Sequence, residues 1–223
     1  MKLIALGNAR LSSIRCKNKM IRPFSNTTLT ELAVKRLANV KEFDEIYFAA
    51  YDENLLSIAR NHLSSSSIIE RSRQSAYEKS SLTRVHDYLL DIEFDYCMWV
   101  NSCHAFLKPE TIDKAAITFR NGGFKSMTAV IERKTWFYKD NGKPINNKNP
   151  TSQAFTEKSS SVYEVVHAFH VFEKDHFFKT SSYWKNDFND PYLYPIKTIE
   201  AIDIDSEDDF MVSETLYKGL IKY

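Results

Sequence analysis

The feature that most constrains the fold is a series of short apolar runs that alternate with segments of helical periodicity. The runs at residues 3–6, 45–50 and 96–100 lack the polar alternation of a half-exposed strand, and are typical of strands covered on both faces. Between the first two runs, Leu29, Ala33 and Leu37 recur at the spacing of one helical face. This alternation predicts an α/β fold with a mostly parallel sheet and helices on both sides.

Capping and proline signals place the helices, and apolar runs place the remaining strands. Thr28 with Glu31 has the spacing of a capping box, and Pro109 suits a first helical turn. A helix that begins at Ser80 or Ser81 is expected to run through residue 90. Further strands are predicted at residues 67–70, 125–131, 163–172 and 194–203, and further helix starts at Asp52 and Ser206.

Residues 132–162 interrupt this pattern with turn-forming sequence, including Asp140-Asn141-Gly142 and an asparagine-rich stretch at 146–150. We interpret them as an insertion into one main domain that spans residues 1–223, a length that suits a single core. The aromatic cluster at residues 136–138 favours a dimer interface or a core position for this insertion. The insertion is therefore expected to form the interface of a homodimer.

The charge balance and the hydropathy exclude several classes of protein. Thirty Lys and Arg against 29 Asp and Glu give a net charge of +1, so no broad positive field attracts nucleic acid. We find no run of eighteen apolar residues, and the apolar run at the N-terminus is too short for a signal peptide. Three cysteines without CxxC spacing favour reduced thiols over disulfides or zinc. A cytoplasmic protein without nucleic-acid or membrane partners is expected.

A basic loop lies between the first strand and the first helix. Arg10, Ser13, Arg15 and Lys19 bring three cations and a hydroxyl into ten residues. In open α/β sheets, ligands bind beyond the carboxyl ends of the strands, where Arg and Lys can neutralise phosphate oxygens. The loop therefore predicts a triphosphate site, although charge alone would also fit a solvated basic loop.

An acidic pair, Asp203 and Asp205, lies in the last predicted strand. Side chains two residues apart in a strand point to the same face, so the two carboxylates would share one location. Mg²⁺ is commonly held by one or two carboxylates together with substrate phosphates. We interpret Asp203 and Asp205 as Mg²⁺ ligands, and Asp208 and Asp209 as acids that favour the first turn of the following helix.

Several motifs resemble one enzyme family. Residues 9–15 (ARLSSIR) with Lys19 are similar to the A-R-x-x-S-x-R-x-x-x-K motif of cytidylyltransferases related to CMP-Kdo synthetase, and residues 21–24 (IRPF) look like the segment that follows it in acylneuraminate cytidylyltransferases. Residues 101–106 (NSCHAF) resemble the family segment L-Q-P-T-S-P-L, and residues 202–210 (IDIDSEDDF) resemble I-D-I-D-T-E-x-D-F. The resemblance covers nearly the whole chain.

This resemblance implies a Rossmann-like nucleotidyltransferase that transfers CMP from CTP, with Mg²⁺, to an acceptor such as a surface-polysaccharide sugar acid. Pyrophosphate would be released. The implied catalytic residues are Arg10, Arg15, Lys19, Asp203 and Asp205. The implied nucleotide contacts are Leu6, Ala9, Arg10, Ser13, Arg15, Lys19, Arg71 and Asn101, and the implied acceptor contacts are His104 and Glu164.

Departures from the family pattern leave alternatives open. The basic loop lacks the glycine pair of the sialate enzymes, which suggests a catalytically silent nucleotide-binding dimer as one alternative. Glu164, an implied acceptor contact, is negatively charged and would repel a carboxylate. The acceptor is therefore expected not to be N-acetylneuraminate. Another base, or a phosphate or phosphonate acceptor, remains a second alternative. His167 and His170 should face opposite sides of a strand, which argues against a metal site there.

Overall fold

In the part of the chain that the structure describes, a seven-stranded sheet forms the centre of the protein. The computed structural model describes residues 1–78, 81–146 and 159–221. The strand order is β3-β2-β1-β4-β6-β5-β7. The strands are β1 (Leu3–Asn8), β2 (Glu45–Ala50), β3 (Ile68–Glu70), β4 (Tyr96–Asn101), β5 (Met127–Arg133), β6 (Val162–Glu173) and β7 (Tyr192–Pro195).

Six of these strands run in one direction and β6 runs against them. The first four strands pair in parallel, β6 pairs antiparallel with β4 and β5, and β7 pairs in parallel with β5. The prediction of a mostly parallel α/β sheet is confirmed. The reversed strand was not predicted; because β6 pairs directly with β5, from Arg133 opposite Val162 onward, it needs no helical crossover. The carboxyl ends of the parallel strands and the start of β6 therefore share one edge.

Helices cover both faces of the sheet. Neighbouring residues of β4 enter different apolar clusters: Met98 packs with Leu37 and Ile112 on one face, and Cys97 packs with Phe172 on the other. This explains why the strand reads as a continuous apolar run. The helices are α1 (Leu29–Ala38), α2 (Glu53–Arg60), α3 (Arg73–Tyr77), α4 (Leu82–Val85), α5 (Pro109–Gly122), α6 (Lys174–Thr180) and α7 (Glu207–Ile221).

The predicted helix starts agree with the structure where a local cap encodes them. The Thr28 hydroxyl accepts a hydrogen bond from the Glu31 amide at 3.1 Å, and Pro109 is the first residue of α5. The Ser81 hydroxyl likewise accepts from the Arg84 amide at the start of α4. Side-chain caps thus fix the starts of α1 and α4, and a proline in the first turn marks the start of α5.

Two predicted elements were too long. The helix expected to reach residue 90 ends at Val85, and a 3-10 turn follows at Asp87–Asp91. Between them the buried His86 ring forms hydrogen bonds with the hydroxyls of Tyr88 and Tyr183, which lie outside the helix. The strand expected over 194–203 is wrong beyond Pro195. After Ile196 donates to the Val130 carbonyl, the chain turns into a 3-10 helix at Thr198–Ala201.

Residues 132–162, which the sequence predicts to be one insertion, belong to several parts of the structure. The first two residues complete β5, the last residue begins β6, and residues 147–158 lie outside the described residues. In the described portion, a bridge between Tyr138 and Pro144 closes a turn. The three cysteines are free thiols. Among the helices that the structure describes, none combines the length and apolar character that crossing a membrane requires.

Candidate active site

A cavity of about 840 Å³ opens beyond the carboxyl ends of β1 and β4. Its walls come from the basic loop after β1, the segment after β3, the end of β4 and the acidic segment before α7. The predicted nucleotide-binding and metal residues among its lining are Ala9, Arg10, Ser13, Arg15, Lys19, Arg71, Asn101, Asp203 and Asp205. The structure thus brings together residues that are almost two hundred positions apart in the chain, at the edge where open α/β sheets bind ligands.

The basic loop and the acidic segment are joined by ion pairs. Lys19 is buried, and its Nζ donates to the Ile204 carbonyl at 2.5 Å and to Asp205 Oδ1 at 3.0 Å. Arg15 is more exposed, and its Nη2 donates to Asp205 Oδ2 at 2.7 Å. Although burial raises the pKa of Asp205, these two cations lower it more, so the carboxylate is charged. Both cations also face the cavity, where a polyphosphate could reach them.

The basic loop reaches this conformation without glycine. Of residues 9–19, Asn18 alone has a left-handed backbone, with φ of 54°, and asparagine tolerates that conformation better than most residues. The Ser13 hydroxyl accepts from the Cys16 amide at 3.4 Å and stabilises the following turn. Arg10 extends toward the segment after β3, where its Nη1 lies 3.5 Å from the Ala76 carbonyl. The absence of glycine therefore does not prevent the loop from lining the cavity.

Asp203 and Asp205 reach the cavity by a different route from the predicted strand. Residues 202–205 pair with no strand; the Ile204 amide donates to the Cys103 carbonyl at 3.3 Å and holds the segment beside the end of β4. On its other side, Asp209 accepts hydrogen bonds from the amides of Asp205 and Ser206. The Asp209 amide in turn donates to the Ser206 hydroxyl at 3.2 Å, so Ser206 and Asp209 cap the start of α7 reciprocally, at the helix start predicted for Ser206.

Asp203 differs from Asp205 in the surroundings of one carboxylate oxygen. Its Oδ1 atom is buried without a hydrogen-bond partner. Burial, together with the neighbouring charge of Asp205, raises the pKa of Asp203 to about 6. A buried carboxylate without a partner destabilises the folded protein, unless a ligand of the working protein compensates its charge.

Two further predicted residues approach the cavity from its walls. The side chain of Asn101 accepts from the Cys103 amide at 2.9 Å, which leaves its amide N–H₂ group available. Arg71 is 4% exposed, donates to the Ser75 carbonyl, and has a buried Nε without a partner. Burial lowers the pKa of Arg71 from its usual value. Both side chains keep donors that a bound nucleotide could use.

Arg36, which the sequence analysis missed, holds the turn at the end of β4 in place. It is 4% exposed, and it donates to the Asn101 carbonyl at 3.2 Å and to the His104 carbonyl. Burial lowers the pKa of this guanidinium to about 10. Because α1 reads as an ordinary amphipathic helix, no local pattern marks Arg36 as a residue that fixes the turn at 101–104.

Three predicted contacts do not line the cavity. Leu6 is fully buried in the apolar core. Glu164 is exposed and pairs with Arg133 at 2.8 Å, so its charge is already compensated and gives no reason to exclude an anionic acceptor. His104 has no exposed surface; its Nε2 donates to the Val166 carbonyl at 3.0 Å, and its Nδ1 lies 3.9 Å from Asp203 Oδ1. His104 is therefore placed behind Asp203.

The expectation that His167 and His170 face opposite sides of a strand is wrong. The pairing of β5 with β6 shifts register between Thr128 and Val130, and His167 adopts a φ of 53° at this bulge. The bulge turns both imidazoles to one side, so that His167 Nδ1 lies 3.0 Å from His170 Nε2. His170 Nδ1 in turn lies 2.8 Å from the Thr128 hydroxyl. A simple two-residue alternation cannot anticipate an irregular strand.

The chain matches the model of a family described as Cytidylyltransferase over residues 4–201. It belongs to the cytidylyltransferase family. The predictions of the family and of a CTP-dependent nucleotidyltransferase are therefore confirmed. No curated protein sequence matches the chain.

Solved structures of cytidylyltransferases share the fold. A CMP:2-keto-3-deoxy-manno-octonic acid synthetase complexed with CTP is 10% identical, with a TM-score of 0.71, and the match covers 98% of this chain and 99% of that one. A 4-diphosphocytidyl-2C-methyl-D-erythritol synthase from Anaerococcus prevotii is 14% identical, with a TM-score of 0.67 over 97% and 96%. A cytidylyltransferase from Leptospira borgpetersenii serovar Hardjo-bovis is 18% identical, with a TM-score of 0.61 over 96% and 86%. At these identities the likeness concerns the fold, and confirms its Rossmann-like nucleotidyltransferase class.

Proposed function

We propose that this cytidylyltransferase transfers CMP from CTP to an oxygen of a sugar acid used in surface polysaccharide, and releases pyrophosphate. The observation that carries the proposal is the unpartnered, buried oxygen of Asp203, which lines the same cavity as Asp205 and the cations that bind it. An acidic pair beside a polyphosphate-binding loop fits a metal-assisted nucleotidyl transfer. The structure of the 2-keto-3-deoxy-manno-octonic acid enzyme, which holds CTP on the same fold, supports this choice.

In this proposal the basic loop holds the triphosphate. Arg10, Arg15 and Lys19 would neutralise phosphate oxygens, while Ser13 orders the loop and Ala9 lies against the nucleotide. Arg15 and Lys19 both contact Asp205 in the absence of ligand, so nucleotide binding would redistribute these ion pairs. Arg71 and Asn101 would contact the nucleoside, since each keeps an uncommitted donor.

Asp203 and Asp205 fit a role as ligands of Mg²⁺. Their donor set is two carboxylates at a polyphosphate site, which suits a hard cation that retains waters and binds substrate phosphates. The buried Oδ1 of Asp203 would gain the partner that it lacks in the protein alone. A bound Mg²⁺ would supply charge neutralisation at the α-phosphate and its leaving group.

The chain's own contribution to the reaction is positioning and charge. The acceptor oxygen attacks the α-phosphorus, the bond from that phosphorus to the bridging oxygen of the β-phosphate breaks, and the acceptor proton passes to solvent. The negative charge that develops on pyrophosphate would face Arg15 and Lys19. Because these cations are already in position, no bulk water has to reorganise during the reaction. Nucleotidyl transfer of this type needs no covalent intermediate with the protein.

The test is pyrophosphate release measured with CTP, ATP, GTP and UTP, each with Mg²⁺ and with Kdo or N-acetylneuraminate as acceptor. We expect release with CTP at least tenfold faster than with the other nucleotides. In parallel, CTP with Mg²⁺ should raise the melting temperature more than ATP or GTP does. Equal rates with all four nucleotides would contradict the assignment of CTP, and CTP binding without any pyrophosphate release would favour a silent nucleotide-binding protein.

We also propose that the enzyme works in the cytoplasm as a homodimer assembled through residues 132–162. The aromatic cluster at 136–138 motivates this interface, and Tyr138 is 56% exposed. Light scattering during size-exclusion chromatography measures the oligomer directly. A monomer at micromolar concentration would rule out the dimer without affecting the proposed chemistry.

A further inference from the structure

Asp52 stands at the position that should cap α2, but it does not cap the helix. Its side chain forms no hydrogen bond with the first turn. Oδ1 accepts instead from the Tyr77 hydroxyl at 2.5 Å, and Oδ2 is buried with no partner among the residues that the structure describes. An aspartate at this position ordinarily stabilises its own helix by binding the free amides. The carboxylate of Asp52 therefore serves Tyr77, which lies 25 positions further along the chain.

Tyr77 connects this carboxylate to the basic loop. It is the last residue of α3 and lines the cavity. Burial, together with the hydrogen bond to Asp52, raises the pKa of Tyr77 to about 12, and a hydrogen bond from the Leu11 backbone lowers it in part. The hydroxyl thus keeps its proton, which it donates to Asp52, while its oxygen accepts from the basic loop. Next to it, the Ala76 carbonyl lies 3.5 Å from Arg10 Nη1.

The contacts with α3 act on the stretch of the basic loop between its two anchors. At the start of the loop, the Ala9 amide donates to β2 at 3.2 Å, and at its end Lys19 is held by the acidic segment. Residues 10–18 between these anchors contain no glycine. The hydrogen bond from Leu11 to Tyr77 therefore restricts the stretch that carries two of the cations proposed to bind the triphosphate.

We infer that Tyr77, held in place by Asp52, is a positioning residue that keeps the basic loop in the conformation that receives the triphosphate. This inference rests on the proposed binding of CTP. A loop without this hydrogen bond samples more conformations, and ordering it when the ligand binds lowers the affinity. The nucleoside is proposed to contact Arg71 and Asn101, which lie outside the loop, so its own binding does not depend on that order.

Two other roles for Tyr77 lead to different expectations. If its hydroxyl contacts the nucleoside directly, loss of the hydroxyl weakens the binding of cytidine as well as that of CTP. If the pair only stabilises the fold, its loss lowers the melting temperature and leaves every affinity unchanged. The ring of Tyr77 is also held apart from its hydroxyl, since Tyr51 packs edge-on against it with centroids 5.9 Å apart. Tyr77→Phe therefore removes the hydrogen bonds and keeps the ring.

The experiment separates the triphosphate from the nucleoside. With Mg²⁺ present, the affinities of CTP and inorganic tripolyphosphate are measured by calorimetry, and that of cytidine by ligand-observed NMR. Besides Tyr77→Phe, Asp52→Asn keeps an oxygen that accepts from Tyr77, whereas Asp52→Ser has a shorter side chain, which suits a helix cap but withdraws the oxygen from Tyr77. Tyr47→Phe is the matched control, because the Tyr47 hydroxyl donates to Glu45 at 2.6 Å and Tyr47 lies outside the lining of the cavity.

We expect Tyr77→Phe and Asp52→Ser to weaken the binding of CTP and of tripolyphosphate about tenfold, as for the loss of one hydrogen bond to a charged group. Cytidine should bind every variant within about threefold of the wild type, and Asp52→Asn and Tyr47→Phe should bind all three ligands within the same limit. In turnover, Tyr77→Phe should raise KM for CTP about tenfold and change kcat less than about threefold, because the bound triphosphate orders the loop again.

Several results would overturn the inference. Equal losses for cytidine and CTP would place the Tyr77 hydroxyl on the nucleoside, and unchanged affinities with a lower melting temperature would leave the pair a structural role. If Asp52→Asn binds as weakly as Asp52→Ser, the charge of Asp52 and not its hydrogen bond decides the affinity. Tyr77→Phe decides the question alone if Asp52→Ser does not fold. If CTP fails to bind the wild-type protein, the proposed function itself is wrong, and this outcome is distinct from the others.

Discussion

Replacement of Asp203 by Asn should stabilise the metal-free protein while it inactivates the enzyme. Asp203 has a buried oxygen without a partner, and burial and the charge of Asp205 raise its pKa from 3.8 to about 6. Folding therefore favours the protonated carboxyl. The stability that this group provides is fully present below pH 3.8, and is lost as the pH rises through 6.

The size of the effect follows from the pKa. A difference of about two pKa units corresponds to about 3 kcal/mol at pH 8. The side chain of Asp203 is 32% exposed, and solvent screening reduces this figure to about 1–2 kcal/mol. In a protein of this length, such a change raises the melting temperature by about 3–6 °C. An uncharged amide of the same volume should obtain that gain at pH 8 and lose most of it at pH 4.

The assay is thermal unfolding at pH 8 and pH 4 in the presence of EDTA, with circular dichroism as the signal. Asp205→Asn is the matched control, since it lies two residues away in the same cavity and should have the opposite effect. Its partners Lys19 and Arg15 lower its pKa, so its contribution to stability is present above its unfolded pKa and is lost as the pH falls. At pH 8 this control should melt below the wild type.

The comparison has a clear negative outcome. If Asp203→Asn melts below the wild type at pH 8 without metal, the carboxylate is compensated in the folded protein, and the reason for assigning it to Mg²⁺ disappears. A gain of equal size at pH 8 and pH 4 would show that the effect is not one of charge.

Three further predictions concern the same cavity. Arg15→Gln should weaken CTP binding at least tenfold by calorimetry, while Arg22→Gln should change it less than threefold, because Arg22 pairs with Glu207 outside the lining of the cavity. Asp205→Asn should reduce turnover on the order of a thousandfold; more than a tenth of wild-type activity at saturating Mg²⁺ would contradict its role. Burial raises the pKa of the Cys103 thiol to about 11, so iodoacetamide should modify it at least tenfold more slowly at pH 7.5 than it modifies the unfolded protein.

Elements encoded by local chemistry could be predicted from the sequence, and elements decided by distant contacts could not. Thr28 and Ser81 mark helix starts through hydrogen bonds within one turn, and Pro109 does so through its fixed backbone angle, so the local sequence carries the whole signal. The end of α4 depends on His86, whose ring bonds Tyr183 from a segment 97 residues away. No local pattern contains that contact.

The site shows the same division. The spacing of the basic loop and of the acidic pair predicted residues that do line one cavity, but the acidic pair reaches it through a hydrogen bond from Ile204 to Cys103 and not through strand alternation. Arg36 escaped the sequence analysis because α1 reads as an ordinary amphipathic helix, and Trp99 and Tyr183, which also line the cavity, escaped it because they resemble ordinary core residues. Only the assembled sheet brings Trp99 and Tyr183 together.

The reversed direction of β6 has a consequence for how enzymes of this shape can diversify. Because β5 ends and β6 begins at the same edge of the sheet as the cavity, the connection between Arg133 and Val162 leaves and returns at that edge. Arg133 pairs directly with Val162, so the pairing of β5 with β6 does not depend on the length of the chain between them. Relatives could therefore exchange residues 134–161 as one unit, while β5 and β6 keep their register.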